Sequence, residues 1–417
     1  MTFNIGKRVT FLRKINNQKT QLQLSKEIYL SQTHIANLET GRYPFSKELI
    51  QNLSMIFDVP QCYFEPKEKN CKFDESLENS FEMLLSPNTS ESFTELFSIE
   101  TYDFEINQEV AFRLLQTVYY YKNNRFDNCN NNLSFISTFI DDETSIKNNP
   151  TILKYYLLYA YHLNFHKNNL EQCYQYCKLL FEVVENEHLR GRILILMVQT
   201  LYRNKLINEA LISINEAIKF IEKFDEGLLL SGAYVTLSSV LIHFKNYDEA
   251  LRILTKIEDI NKKYCDEDIF SILLQHRGVI FKRRKEYLKA IENYEKAYHV
   301  AKNTHNQGRI LISLIICFLK VKNVNNATKY LEILRNKQLR VHEKMVLLSL
   351  ECELHLYNNN LDEYTDQFKT VLNYFEKNNY TTDLIYIYSY LATYYSEKKM
   401  YKQATQYFIK KEKLENE

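Results

Sequence analysis

One position recurs along three quarters of this chain: a small residue early in an amphipathic helix, returning every few tens of residues. The best copies are "YDEALRILTKI" around Ala250 and "YLKAIENYEKAYHVAK" around Ala290, followed by "INEALISINEAIKFI" around Ala210 and "YKQATQYFIKK" around Ala404. Weaker copies centre on Ala327, Tyr364, Cys173 and Cys129, and the series 129 to 404 advances in steps of 44, 37, 40, 40, 37, 37 and 40. A period of this length marks one supersecondary unit that cannot bury its apolar face alone, so neighbouring units must stack. With only 7 Gly and 5 Pro in 417 residues, sandwiches, barrels and Gly-rich phosphate loops have little support, and an all-α chain is expected.

The small residue lets two helices of a hairpin approach closely, and an apolar or aromatic residue four further on fills the gap beside it. Those fillers are Ile214, Leu254, Tyr294, Leu331, Phe368 and Phe408, and Gly278 stands at the crossing position of a first helix. This logic resembles that of the tetratricopeptide repeat, whose ~34-residue spacing is exceeded here by a few residues, as longer helices or loops produce. The resemblance implies a right-handed superhelix of about eight helical hairpins over residues 89–417, with a concave inner surface lined by the first helices.

In that register the inward positions include Tyr155, His162, Arg192, Gln199, Tyr202, Arg203, Ser239, His243, Gln275, Lys282, Arg283 and Arg309. The face is polar and rich in cations, which suits an extended peptide whose backbone needs hydrogen bonds and whose carboxylates need positive partners. His162, Gln199, Tyr202, Arg203, Ser239, His243, Gln275, Lys282, Arg283 and Arg309 are the candidate peptide-binding residues. The alternative is a solvated groove with no guest.

The first 64 residues follow different rules. Ile5, Val9, Leu12 and Ile15 fall at helical spacing, with Lys7, Arg8, Arg13 and Lys14 between them. Thr20 is placed to cap a helix over Gln21–Ile28, and Ser31 to cap another over Gln32–Thr40 that Gly41 stops. Two more short helices are expected over Ser46–Phe57 and around Gln61–Phe64. The run "QLQLSKEIYLSQTHIANLETGR" resembles the phage-repressor (Xre-type, lambda-repressor-like) helix-turn-helix, and "ELIQNLSMIFDVPQCYF" resembles its closing helices.

By that resemblance the third helix enters the major groove of double-stranded operator DNA, where Gln32, Thr33 and Asn37 read bases beside His34. Gln21 and Arg42 would hold phosphates. Because the third helix carries no Lys or Arg, affinity would lean on Lys7, Arg8, Lys26, Arg42 and Lys47 at the backbone, and a homodimer on a two-fold operator is expected. The blander alternative is a small bundle with a solvated polar face. Charge agrees with a DNA-facing head: residues 1–64 hold eight Lys/Arg against four Asp/Glu, leaving 45 against 48 elsewhere.

Between the two regions, residues 65–88 read as a linker. Glu65–Glu75 is charged and contains Pro66, Ser76–Leu85 is a short amphipathic helix with Leu77, Phe81, Leu84 and Leu85 on one face, and Ser86-Pro87-Asn88-Thr89 punctuates it. The segment is either a spacer or a lever that sets the distance between two heads.

Other chemistry finds little support. His162 and His166 with Cys173 and Cys177 have zinc-like spacing, but both thiols occupy buried repeat positions, so no metal is expected. No motif for a cofactor or a catalytic group occurs, and the acids Asp141-Asp142 and Asp266-Glu267-Asp268 read as loop caps. The eight cysteines lack CxxC pairs, the N-terminus is polar, and no apolar run approaches the ~20 residues of a membrane span, so a non-enzymatic cytoplasmic protein is expected.

A repressor-type head before a tetratricopeptide-like body resembles the peptide-responsive regulators of Gram-positive bacteria, the Rap–Rgg–NprR–PlcR–PrgX group, with length and hairpin number nearest the NprR type. That resemblance implies a quorum-sensing transcriptional regulator that binds a short re-imported signalling peptide in its groove and thereby changes its DNA binding or oligomeric state. It departs from the group in one respect: no Asn stands among the inward positions named above. Two alternatives stay open, an adaptor that docks a response regulator and a peptide-independent phage or plasmid repressor.

Overall fold

The structure is a computed structural model that describes residues 4–15, 18–85, 102–123, 125–140, 146, 149–302, 304–337, 339, 341–357 and 365–416. The expected loop acids Asp141 and Asp142, the punctuation Ser86–Thr89 and the weak repeat centre Tyr364 lie outside the described residues. Among those described there are 21 α-helices and no strand. They fall into two compact units, Met1–Ala233 and Tyr234–Glu417.

The first unit begins with α1 (Gly6–Ile15), α2 (Gln21–Glu27), α3 (Gln32–Glu39) and α4 (Lys47–Phe57). Local chemistry sets their ends. Thr20 and Gln23 form a reciprocal capping box, and the Ser31 and Ser46 hydroxyls accept from the backbone N–H of His34 and Leu49 at 3.1 and 3.2 Å. Leu12, Leu24, Ile35, Leu38 and Leu53 close the small core. Gly6 permits α1 to cross α3: a Cβ there would lie 2.0 Å from the Leu38 carbonyl oxygen.

Helix α5 (Cys71–Leu85) starts one turn earlier than expected, because Asn70 Oδ1 accepts from the N–H groups of Lys72 and Phe73. Its face of Leu77, Phe81, Leu84 and Leu85 is fully buried. It packs against α6 (Ile106–Lys122), which α7 (Asn130–Phe139) follows.

Regular hairpins then begin with α8 (Pro150–His166) and α9 (Leu170–Val183), then α10 (Glu187–Arg203) and α11 (Ile207–Ile221). Helix α12 (Gly227–His243) spans the division between units. The second unit continues with α13 (Tyr247–Tyr264), α14 (Glu267–Arg283), α15 (Tyr287–Val300), α16 (Thr304–Lys320) and α17 (Val324–Arg335). It ends with α18 (Val341–Tyr357), α19 (Thr365–Lys377), α20 (Thr381–Glu397) and α21 (Tyr401–Asn416). Asp266 caps α14 through the Ile269 N–H at 2.8 Å, the role expected of that acidic run.

Every described turn inside these hairpins is made alike. Asn168, Lys205, Lys245, Lys285, Lys322 and Lys399 adopt left-handed backbone with φ between 58° and 63°. The next residue's N–H reaches back five residues, as in Leu206 to Leu201, Glu286 to Phe281 and Met400 to Tyr395, at 2.8–2.9 Å. This is the Schellman closure, here built without glycine. The scarcity of glycine therefore hides regular turns.

The repeat positions pack as their spacing demands. Cys129, Cys173, Ala210, Ala250, Ala290, Ala327 and Ala404 are all buried, as are the fillers Ile214, Leu254, Tyr294, Leu331 and Phe368. At Gly278 a Cβ would lie 2.7 Å from the Tyr294 ring, so α14 and α15 meet closely there. One filler departs from expectation. Phe408, on α21, is 48% exposed.

Candidate functional site

The third-helix face in the head presents Gln32 and Thr33 exposed, with His34 and Asn37 half-buried. The His34 ring rests 5.0 Å from that of Tyr43. Arg42 is exposed, and its backbone N–H donates to the Asn37 carbonyl at 2.8 Å. Gln21 is half-buried and donates its amide to Glu39 at 2.9 Å; Glu39 also receives Arg13 at 2.6 and 3.0 Å. Lys26 and Lys47 are exposed.

Two basic residues expected at a phosphate backbone are committed elsewhere. Arg8 is fully buried: its guanidinium donates to Glu109 at 2.9 Å and to the carbonyls of Tyr63 and Phe104 at 2.8 Å each. The Tyr63 hydroxyl donates to the other Glu109 oxygen at 2.9 Å, and its ring lies under the Arg8 guanidinium at 4.4 Å. Burial, then the Glu109 charge, hold the Tyr63 hydroxyl well above its ordinary pKa. Lys7 donates to the Phe139 carbonyl at 3.0 Å. An exposed phosphate role for Arg8 is thus overturned, since a buried carboxylate from α6 claims it.

A second candidate site lies in the same unit, where α6, α8 and α10 end side by side. A cavity of about 380 Å³ is lined by Tyr121, Lys122, Tyr161, His162, Phe165, His166, Gln199 and Arg203. Three sequence-predicted residues, His162, Gln199 and Arg203, therefore share one pocket; Tyr202, on the same helix, is exposed outside its lining. Burial lowers the His162 pKa to about 3, helped by the charge of Lys122, and its Nε2 has no hydrogen-bond partner. Burial likewise lowers Lys122 to about 8, while its ammonium donates to the Leu84 carbonyl at 2.8 Å. Arg203 sits over the Phe165 ring at 4.3 Å and donates to Asn168 at 3.0 Å, and His166 stacks on Phe126 at 4.1 Å. Cys173 and Cys177 are buried in the core, with the Cys173 thiol 3.6 Å from the Tyr161 carbonyl.

Sequence reasoning missed Lys122, although a signal was present. The first helices α6, α8, α10, α12, α14 and α16 all end on a basic residue: Lys122, His166, Arg203, His243, Arg283 and Lys320. A cation there complements the carbonyl end of the helix dipole, and in the first unit the ends of α6, α8 and α10 come together. Extending the register one hairpin backward would have found Lys122.

The remaining candidates lie in the second unit. Gln275 is buried, Ser239 is half-buried and donates to Val235 O at 3.2 Å, and His243, Arg283 and Arg309 are exposed. Burial lowers the Lys282 pKa. Beside Gln275, His276 is lowered to about 4 by burial and by Arg309, and its Nδ1 lies 2.7 Å from the Ser238 hydroxyl.

Comparison with solved structures then decides the architecture. The apo form of RapI matches with TM-score 0.61 at 16% identity, over 83% of this chain and 97% of that one. A Rap protein complexed with Competence and Sporulation Factor matches with TM-score 0.64 at 12% identity, over 83% and 98%. The chain has the fold of the Rap and NprR proteins. The apo quorum sensor NprR from B. thuringiensis gives TM-score 0.60 at 13% identity, over 82% of this chain and 97% of that one. These neighbours are regulators of the group that the sequence resembles. No protein-family model matches the chain, and no curated protein sequence does. Among the described residues, no helix is long and apolar enough to cross a membrane.

Proposed function

We propose that this protein is a peptide-responsive transcriptional regulator of the NprR type. A short signalling peptide binds along the first helices of the hairpins, and its binding shifts a homodimer between arrangements that differ in operator affinity. The carrying observation is the cavity at the ends of α6, α8 and α10, which gathers His162, Gln199 and Arg203 in a fold shared with a Rap–peptide complex. Support for the DNA half comes from the capped α3, with Gln32 and Thr33 outward. A bound peptide moves the balance only by its difference in affinity for the two arrangements, typically about 1–3 kcal/mol.

The test selects DNA from a random duplex pool with the full chain, and repeats binding after Gln32→Ala/Asn37→Ala. Recovery of one sequence class, lost in the double variant and shifted by a peptide fraction of spent medium, supports the reading. Loss of neither sequence class nor affinity in the double variant overturns it.

A second reading is an adaptor that docks a response regulator, supported by the equal likeness to RapI and to a structure named aspartyl phosphate phosphatase F from Bacillus subtilis, which gives TM-score 0.58. Under that reading the cellular phenotype survives the Gln32→Ala/Asn37→Ala change.

A further inference from the structure

Away from both sites, the last turn of α5 meets the first turn of α10 and the residue that precedes α12. Glu82, His188 and Glu226 come together there, one from each, and all three are half-buried. A ligand atom from each lies within 4.8 Å of the other two.

Local structure fixes the imidazole first. Asn186 caps α10 by accepting from the His188 backbone N–H at 2.9 Å, and the Phe224 ring lies 4.9 Å from the His188 ring. Arg192, one turn further along α10, holds the two acids. Its Nη2 is 2.7 Å from Glu226 Oε1 and 3.4 Å from Glu82 Oε1, and its Nη1 donates to the Glu82 carbonyl at 3.3 Å. The second Glu226 oxygen faces the ring. It lies 2.7 Å from His188 Nε2, yet the two are not aligned as a hydrogen bond, and neither has one elsewhere among the described residues. On the ring's other side, Nδ1 is 3.3 Å from Glu82 Oε1.

Two buried electron-pair donors this close need a cation between their lone pairs. A proton on Nε2 points along the ring bisector, and the oxygen lies off that line. An ion sits differently. Atoms 2.7 Å apart, each ~2.1 Å from one ion, subtend ~80° there, near the right angle of octahedral coordination. One imidazole with two carboxylates suits a divalent first-row transition ion. Arg192 on Glu226 Oε1 then orients the ligating carboxylate, as outer partners of metal ligands do.

We infer that Glu82, His188 and Glu226 form a site for a divalent first-row transition ion, which pins the end of α5 to α10 and to the turn before α12. The inference rests on neither the peptide nor the operator reading.

Co²⁺ alone is the probe, added to the full chain after chelation and dialysis, with ¹³C at the histidine Cε1 positions. Its unpaired electrons displace signals of nearby nuclei, and ligation by a thiolate would add an intense near-ultraviolet band. The expected result is one Co²⁺ per chain, saturable below about 1 mM, that displaces the Cε1 signal missing from His188→Ala and adds no thiolate band. Glu226→Gln should weaken binding at least about tenfold. Glu82→Gln, a change at a 37% exposed side chain, should weaken it as well and keeps the test valid should Glu226→Gln unfold. No saturable binding, binding that leaves the His188 signal in place, or undiminished affinity in both Glu226→Gln and Glu82→Gln overturns the site. A His188 signal that answers pH but not Co²⁺ overturns it too, and makes a proton the bridging cation. Because the readout uses neither DNA nor peptide, its failure is distinct from failure of the regulatory reading.

Discussion

Arg8 and Glu109, 101 residues apart, form a buried ion pair with 2.6 Å between Nη2 and Oε2, both side chains almost wholly removed from water. The pair ties α1 of the head to the start of α6. The same α6 ends at Lys122, 13 residues and thus ~20 Å further along a straight helix. One rigid element therefore touches both the head and the α6–α8–α10 cavity.

Removing one partner leaves the other charge buried and uncompensated. Glu109→Gln should lower the stability of the first unit by about 3–5 kcal/mol, whereas Arg8→Met/Glu109→Leu should cost distinctly less. Urea unfolding of both variants checks this, and equal losses would show that packing rather than charge dominates the junction.

Gly278→Ala brings a methyl group to 2.7 Å from the ring of Tyr294, which is itself fully buried and cannot swing away. Overpacking costs about 1–3 kcal/mol, and the better helix propensity of Ala returns about 1 kcal/mol. A net loss is expected, read as a fall in melting temperature. A rise would mean that α14 and α15 can separate cheaply.

Lys285→Gly should do the reverse. Left-handed backbone costs a side-chain-bearing residue about 1–2 kcal/mol, and the entropy lost by Gly offsets about 0.5–1 kcal/mol of the relief. Up to about 1 kcal/mol of stabilisation should follow, while Lys289→Gly, inside α15, should destabilise by a similar amount. Thermal melts of the pair give opposite signs if the turn is strained.

The hairpin array could be read from residue order because its causes are local or periodic. Ala210, Ala250 and Ala290 recur at the one place where close helix contact demands a small side chain, and Thr20, Ser31 and Ser46 cap helices within three residues of themselves. What escaped the sequence was decided by partners far along the chain. Arg8 belongs to the interior only because Glu109 arrives there, and nothing within a helical turn of Arg8 reports it. Lys122, His162 and Arg203 line one cavity only when three helix ends stack, and Phe408, a filler by its spacing, is exposed. Periodicity tells which face of a helix is apolar; whether a long cationic side chain ends in solvent, on a carboxylate or in a pocket depends on what the folded chain sets opposite it.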